Sequence, residues 1–220
     1  MSATPGIPPR RYLTGLDLFY PIVPDADWLA RIVPFGVKTV QLRLKDAPQA
    51  EVRRQIAASL DLCRRHACQL IVNDHWREAI ELEADFIHLG QEDLTAADLK
   101  AVKAAGLKLG VSTHSLDELA AALRADPDYI ALGPIYETKL KQMKWPPQGL
   151  PRIAEWKRRF ACPLVAIAGI TLERADAVLA AGADSIAVVT DFLTHADPQA
   201  RIRGWLDWVA QASGRAPPAR

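Results

Sequence analysis

Eight short runs rich in Val, Ile and Leu alternate with helical patterns along this 220-residue chain, and they predict a single α/β domain folded as a (βα)8 TIM barrel. Three observations carry the prediction. The apolar runs are evenly spaced, most repeats being about 20–30 residues long. Uninterrupted alternation of strand and helix implies a parallel sheet with right-handed crossovers. An open, doubly wound sheet would also tolerate the alternation, but no G-x-G-x-x-G follows the first run.

The expected strands are Asp17–Val23, Thr39–Leu44, Gln69–Asp74, Phe86–Gly90, Lys108–Thr113, Tyr129–Pro134, Pro163–Ala168 and Ser185–Thr190, each short enough to be a buried strand. Between them, Ala50–His66 sets Val52, Ile56, Leu60 and Cys63 on one helical face, with Arg53, Arg54 and Arg64 off it. Thr95, followed three residues later by Asp98, predicts an N-cap opening a helix that runs to Ala105 and stops at Gly106. Ser115 with Glu118 predicts the next, to Ala125. Thr171 starts another that ends before Gly182, and Pro198–Gln211 forms the last. Residues 1–12 are expected to be a flexible leader, 13–212 the barrel and 213–220 a flexible tail, with no internal linker.

Composition narrows the function. Lys plus Arg is 27 and Asp plus Glu is 26, for a formal charge of +1, which argues against a nucleic-acid or anionic-membrane binder. The longest charge-free run, Phe160–Leu172, is 13 residues and holds Pro163 and Gly169, so no membrane span is expected. The amino terminus lacks the apolar core of a signal peptide, and three cysteines form no disulfide framework; both point to a reduced, cytoplasmic protein. Cys63, His66, Cys68 and His75 match no standard zinc spacing. His88, inside a strand, reads as a satisfied core histidine. A homo-oligomer is compatible with the chain.

A barrel builds its site at the C-terminal ends of the strands. The second strand carries Gln41, Arg43 and Lys45 at alternate positions, hence on one side, with Val40, Leu42 and Leu44 on the other. If the apolar side meets the helices, the polar side faces the lumen and its mouth, and its cations ask for a diphosphate or carboxylate opposite. A solvated edge strand or a structural ion pair would also account for them. The third strand ends in Asn73-Asp74, and Gln91-Glu92-Asp93 follows the fourth. Asp74 and Asp93, leaving adjacent strands, suit one hard cation such as Mg2+, with water and phosphate oxygens completing the shell; the plainer reading is that each caps the next helix. Ser112 offers a hydroxyl to a polar substrate, although Ser112 or Ser115 as a helix cap is equally ordinary.

The long stretch Glu137–Leu150, with Lys139, Lys141 and Lys144, reads either as a lid over an anionic substrate or as a solvated loop. Gly169 after strand seven and Val189-Thr190 after strand eight occupy the places of the phosphate cradle common in this fold.

Together these pieces resemble the thiamine-phosphate synthase family from Tyr20 to about Phe192. The resemblance rests on Gln41-Leu42-Arg43-Leu44-Lys45, Val72-Asn73-Asp74, His88-Leu89-Gly90-Gln91-Glu92-Asp93, Gly110-Val111-Ser112-Thr113-His114, Gly133-Pro134-Ile135-Tyr136 and Thr138–Lys141. It implies a transferase that joins a hydroxymethylpyrimidine diphosphate to a thiazole phosphate with Mg2+, acting on small phosphorylated substrates. It implies that Gln41, Leu42, Arg43, Leu44, Lys45, Asn73, Ser112 and Lys141 bind the pyrimidine diphosphate, and that Asp74 and Asp93 hold Mg2+. Thr138, Lys139, Leu140, Gly169, Val189 and Thr190 would bind the thiazole phosphate, while Arg43, Lys45 and Lys141 would stabilise the departing diphosphate. The chain departs from the family at Leu140 (commonly Thr), Ala168 (Gly), His75 (Arg) and Glu137 (Pro). Two rival readings are a paralogue that tautomerises the thiazole phosphate and a non-catalytic barrel that binds a phosphorylated metabolite and regulates a partner. Pro134, where a histidine would favour the tautomerase, speaks against the first, and the full set of diphosphate-side residues against the second.

Overall fold

The computed structural model describes residues 16–138 and 145–214. The leader expected at 1–12 and positions 215–220 of the expected tail lie outside the described residues. The strands are β1 (Phe19–Val23), β2 (Thr39–Leu42), β3 (Gln69–Asn73), β4 (Phe86–Leu89), β5 (Lys108–Thr113), β6 (Tyr129–Leu132), β7 (Leu164–Ile167) and β8 (Ser185–Val188). Each pairs in parallel with its sequence neighbour, and β8 pairs with β1, closing the barrel in the order β1 to β8. The sheet is therefore the one the alternation predicts. Several strands stop one or two residues short of the apolar runs. At β2 the ladder goes one residue further, the Arg43 amide donating to the Val23 carbonyl at 2.9 Å.

Strand parity separates two cores. Val40, Leu42, Leu70, Val72, Ile87, Leu89, Leu109 and Val111 point outward into the layer between sheet and helices. Tyr20, Ile22, Ile71, Phe86, Tyr129, Ala131, Val165 and Ala187 fill the lumen. The alternation of Gln41 with Val40 and Leu42 is this parity, seen in sequence. Gly110 has a further reason: a carbon added to it would lie 2.0 Å from the Tyr129 ring, so only glycine lets that ring cross the lumen.

The helices are α1 (Ala26–Ile32), α2 (Gln49–Arg65), α3 (Trp76–Glu81), α4 (Gln91–Ala96), α5 (Leu99–Ala104), α6 (Leu116–Arg124), α7 (Gly149–Lys157), α8 (Ala175–Ala180), α9 (Thr190–Leu193) and α10 (Pro198–Ser213). Helix α2 buries Val52, Ile56, Leu60 and Cys63, the face expected, and Ser115 caps α6 through the Glu118 amide. One expectation is corrected. Thr95 opens no helix; it lies inside α4, its hydroxyl donating to the Gln91 carbonyl, and Asp98 caps a separate α5 by accepting from the Lys100 and Ala101 amides. A carboxylate reaching two free amides is the better cap, and the extended backbone of Ala97 breaks what was read as one helix. After strand seven, Thr171 likewise precedes a 3-10 turn, Leu172–Arg174, before α8 begins. Among the described residues no helix is long and apolar enough to cross a membrane.

Candidate active site

The C-terminal ends of β3 and β4 bring two carboxylates together. Asp74 follows β3 in the left-handed region at φ 64°, a conformation that Asp and Asn tolerate better than most residues, while its amide still donates to the His88 carbonyl at 2.9 Å. Asp93 sits in the first turn of α4, its carboxylate oxygen 3.4 Å from where a carbon on Gly90 would lie. The caps of α3 and α4 are His75 and Gly90, so neither carboxylate is the cap. Instead the two carboxyls are within hydrogen-bonding reach of each other. Burial raises the Asp74 carboxyl above its ordinary range, and the Asp93 charge raises it further; Arg43 and the Asn73 amide oppose the shift.

That arrangement tests the fit of a divalent cation. Two half-buried carboxyls meet here, and Arg43 and the Asn73 amide offset their charge only in part, since the Asp74 carboxyl stays raised despite both. Among the described residues no group of three or more His, Cys, Asp or Glu side chains is arranged to hold a metal. The pair suits Mg2+, which binds through one or two carboxylates and fills its octahedron with water and substrate oxygens.

Around this pair the described diphosphate-side residues come from three strands, β2, β3 and β5. Arg43 is half-buried beside Asp74, and Lys45 is exposed. Asn73 is buried on β3 and Ser112 half-buried on β5. Leu42 and Leu44 are different: both side chains are buried in the outer layer, so any part they take in a site belongs to their backbone. Gln41 lies inside the lumen, its amide donating to the Tyr20 hydroxyl at 2.6 Å. From there a chain of contacts crosses the barrel: Tyr20 to Tyr129 at 3.0 Å, Tyr129 to His88 Nδ1 at 2.8 Å, and His88 Nε2 to Ser112 at 2.8 Å. Burial, with the nearby Arg43 charge, lowers the His88 ring to about 4, so it is neutral at physiological pH.

On the opposite arc, Thr138 is half-buried at the start of the long loop, while Lys139, Leu140 and Lys141 lie outside the described residues. The far end of that loop is tied down: Trp145 stacks on His114 at 6.4 Å, and the Gln148 amide donates to the His114 carbonyl. Glu118 in turn holds His114 through Nδ1 at 2.8 Å. After β7, Ala168 carries φ 75°, a left-handed backbone that costs an alanine what it would not cost glycine. At Gly169, φ 68°, an added carbon would meet the Glu137 carbonyl oxygen at 2.4 Å, so the β6 loop packs against it. Val189 and Thr190 are half-buried where β8 turns into α9.

Sequence reasoning missed the partners of His88. Nothing in the residues themselves marks Tyr20 and Tyr129 as partners; the available signal is Gly110, a glycine within a strand, which is where another group can approach closely. It also missed Gln91, whose amide donates to the Ser112 carbonyl at 2.7 Å and fixes that strand end.

The fold and this rim define the class: a (βα)8-barrel enzyme, its ionisable groups gathered where the strands end. Comparison with known proteins narrows it. The family model for thiamine monophosphate synthase matches residues 19–192. A thiamine-phosphate synthase of Rhizobium etli is 60% identical over 192 residues, covering 87% of this chain and 94% of that protein. One from Escherichia coli (strain K12) is 48% identical over 194 residues, covering 88% and 90%. The solved thiamine phosphate pyrophosphorylase of Pyrococcus furiosus superposes with a TM-score of 0.77 at 26% identity, covering 89% of this chain and 96% of that one. The chain belongs to the thiamine-phosphate synthase family, and it is a transferase.

Proposed function

We propose that this barrel joins 4-amino-2-methyl-5-hydroxymethylpyrimidine diphosphate to 4-methyl-5-(2-phosphoethyl)thiazole, carboxylated or not, giving thiamine phosphate and diphosphate. Beyond family membership, the observation that carries the reading is the Asp74–Asp93 pair beside Arg43 at the rim. With a divalent cation on the pair, such a site would favour a departing polyanion over a neutral ligand.

The reaction follows from the charges. The bond between the pyrimidine methylene carbon and the diphosphate oxygen breaks first, and its electron pair leaves with the diphosphate. The electron-rich aminopyrimidine spreads the resulting positive charge, and the thiazole nitrogen lone pair forms the new C–N bond. No protein nucleophile is required. Arg43, Lys45 and Lys141 take up the charge that develops on the leaving group, the kind of electrostatic stabilisation in which one lost donor costs about 10²–10³ in rate. Asp74 and Asp93 would hold Mg2+, which supplies charge neutralisation to the diphosphate when bound. Gln41, Asn73 and Ser112, with the backbone of Leu42 and Leu44, line the pyrimidine side. Thr138, Lys139, Leu140, Gly169, Val189 and Thr190 would bind the thiazole phosphate, and holding both substrates in line supplies the rest of the rate. The three cysteines are free thiols, in keeping with the cytoplasmic setting we assign.

The test is direct. Purified protein is incubated with both substrates and Mg2+, and thiamine phosphate and diphosphate are measured, with Asp93→Ala alongside. Both products should form in equal amounts, and the variant should lose at least about 10²-fold in turnover. A wild type that binds the pyrimidine diphosphate without turnover would overturn the reaction; a fully active Asp93→Ala would overturn the metal assignment.

A further inference from the structure

The hydrogen-bond chain across the lumen has a direction that its members impose. Gln41 Nε2 is an amide nitrogen and only donates, so the Tyr20 hydroxyl accepts from it at 2.6 Å. Tyr20 is 1% exposed, and its own proton must find an acceptor; the Tyr129 hydroxyl, 3.0 Å away, is the partner on that side. Tyr129, also 1% exposed, passes the requirement on, its proton going to His88 Nδ1 at 2.8 Å. A nitrogen that accepts carries no proton, so the ring proton of His88 is on Nε2, where it donates to the Ser112 hydroxyl oxygen at 2.8 Å. An imidazolium breaks the count: with both ring nitrogens donating, the Tyr20 proton would face the Gln41 N–H group. Burial raises the pKa of both phenols, so each keeps the proton that the count assigns to it. Ser112, having accepted from His88, is left with its own O–H free to donate, and it is half-buried at the mouth rather than sealed in the lumen.

We propose that Tyr20, Tyr129 and His88 are positioning residues whose one-way hydrogen-bond chain, started by Gln41, holds His88 as the Nε2–H tautomer and presents the Ser112 hydroxyl as a donor to the anionic substrate. The substrate's identity rests on the function proposed above; the direction of the chain does not. Two features are built around the chain. Gly110 leaves room for the Tyr129 ring, which an added carbon would strike at its Cζ, Cε1 and hydroxyl. Gln91 pins the Ser112 carbonyl, so the serine cannot drift from His88. A serine in solution rotates freely and accepts as readily as it donates; this one would meet a diphosphate with its proton already turned outward.

The experiment has two arms. In the first, the substrate-free protein is labelled with 15N-histidine, and the ring resonances of His88 are assigned by their loss in His88→Gln. The expected signature is a protonated Nε2 and an unprotonated Nδ1, unchanged in shift from pH 6 to 8. A protonated Nδ1, or an imidazolium in that range, overturns the proposal whether or not the protein turns over substrate. In the second arm, Tyr129→Phe and Ser112→Ala are compared singly and together by KM for the pyrimidine diphosphate and by kcat. Tyr129→Phe should raise KM about tenfold, the scale of one hydrogen bond to a charged group. In the Ser112→Ala background it should add less than about twofold, because both changes remove one donor. Independent, multiplicative losses would mean that Tyr129 only fills space, and would overturn the role. Failure of turnover in the wild type would refute the proposed reaction while leaving the tautomer result to stand alone.

Discussion

Gly110→Ala is the sharpest test of how the lumen is built. The added carbon would lie 2.0 Å from Tyr129 Cζ, 2.3 Å from Cε1 and 2.4 Å from the hydroxyl oxygen. Carbon atoms rest at about 3.5–4.0 Å, so the ring must retreat by roughly 1.5 Å. It has nowhere near at hand to go, because Tyr129 is 1% exposed and stands among Tyr20, Phe86 and His88. Overpacking of this kind costs about 1–3 kcal/mol. Moving the ring also breaks its hydroxyl contacts to Tyr20 and His88, and each buried polar group left unpaired costs about 1–3 kcal/mol. The smaller unfolded-state entropy of alanine returns about 0.4–1 kcal/mol. The net loss is about 2–8 kcal/mol, and at about 2–4 °C per kcal/mol for a chain of this size it lowers Tm by roughly 4–30 °C. Urea unfolding followed by tryptophan fluorescence checks it: the midpoint should fall with the slope unchanged. Gly36→Ala is the control, since nothing lies within 4 Å of its added carbon and only its φ of 104° opposes the change. If Gly110→Ala costs no more than Gly36→Ala, the packing argument and the relay it supports are both wrong.

Two further substitutions probe the rim. Asp74→Asn should lower kcat by about 10²–10³ yet stabilise the metal-free protein by about 0.5–2 kcal/mol, because it removes one of two facing negative charges. The sign follows from the raised Asp74 carboxyl: stability that it contributes while protonated is fully present below its ordinary value and lost as pH rises through the raised one. The gain over wild type should therefore vanish below about pH 3.8, grow as pH rises and shrink when Mg2+ is added, all read by thermal melts. Ala168→Gly relieves a left-handed alanine, worth about 1–2 kcal/mol, against the extra unfolded-state entropy of glycine at about 0.4–1 kcal/mol. A small rise in the urea midpoint is expected, and a fall would mean that the methyl group packs usefully against the β6 loop.

What the sequence reveals and what it hides divide along a physical line. Charged residues inside apolar runs are conspicuous because burying them is costly, so Arg43 and Asp74 stand out before any fold is known, and Asp93 joins them by following the adjacent run. The parity that sends Gln41 inward is equally visible, since Val40 and Leu42 flank it and both meet the helices. The same parity shows why a contiguous motif overstates a site: Leu42 and Leu44 share the motif with Arg43, yet their side chains face the other way. Uncharged partners carry no such mark. Tyr20 and Tyr129 are 109 residues apart, and either ring would pack well enough as a plain lumen aromatic. Their contact depends on the closure of all eight strands, which brings β1 and β6 face to face across the lumen although neither pairs with the other. A hydrogen-bond count, unlike an apolar contact, also depends on who donates. That is why the polarity of the Gln41–Ser112 chain emerges only once every partner has been placed, and why Ser112 reads in sequence as a plausible helix cap but in the folded barrel as the end of a directed line.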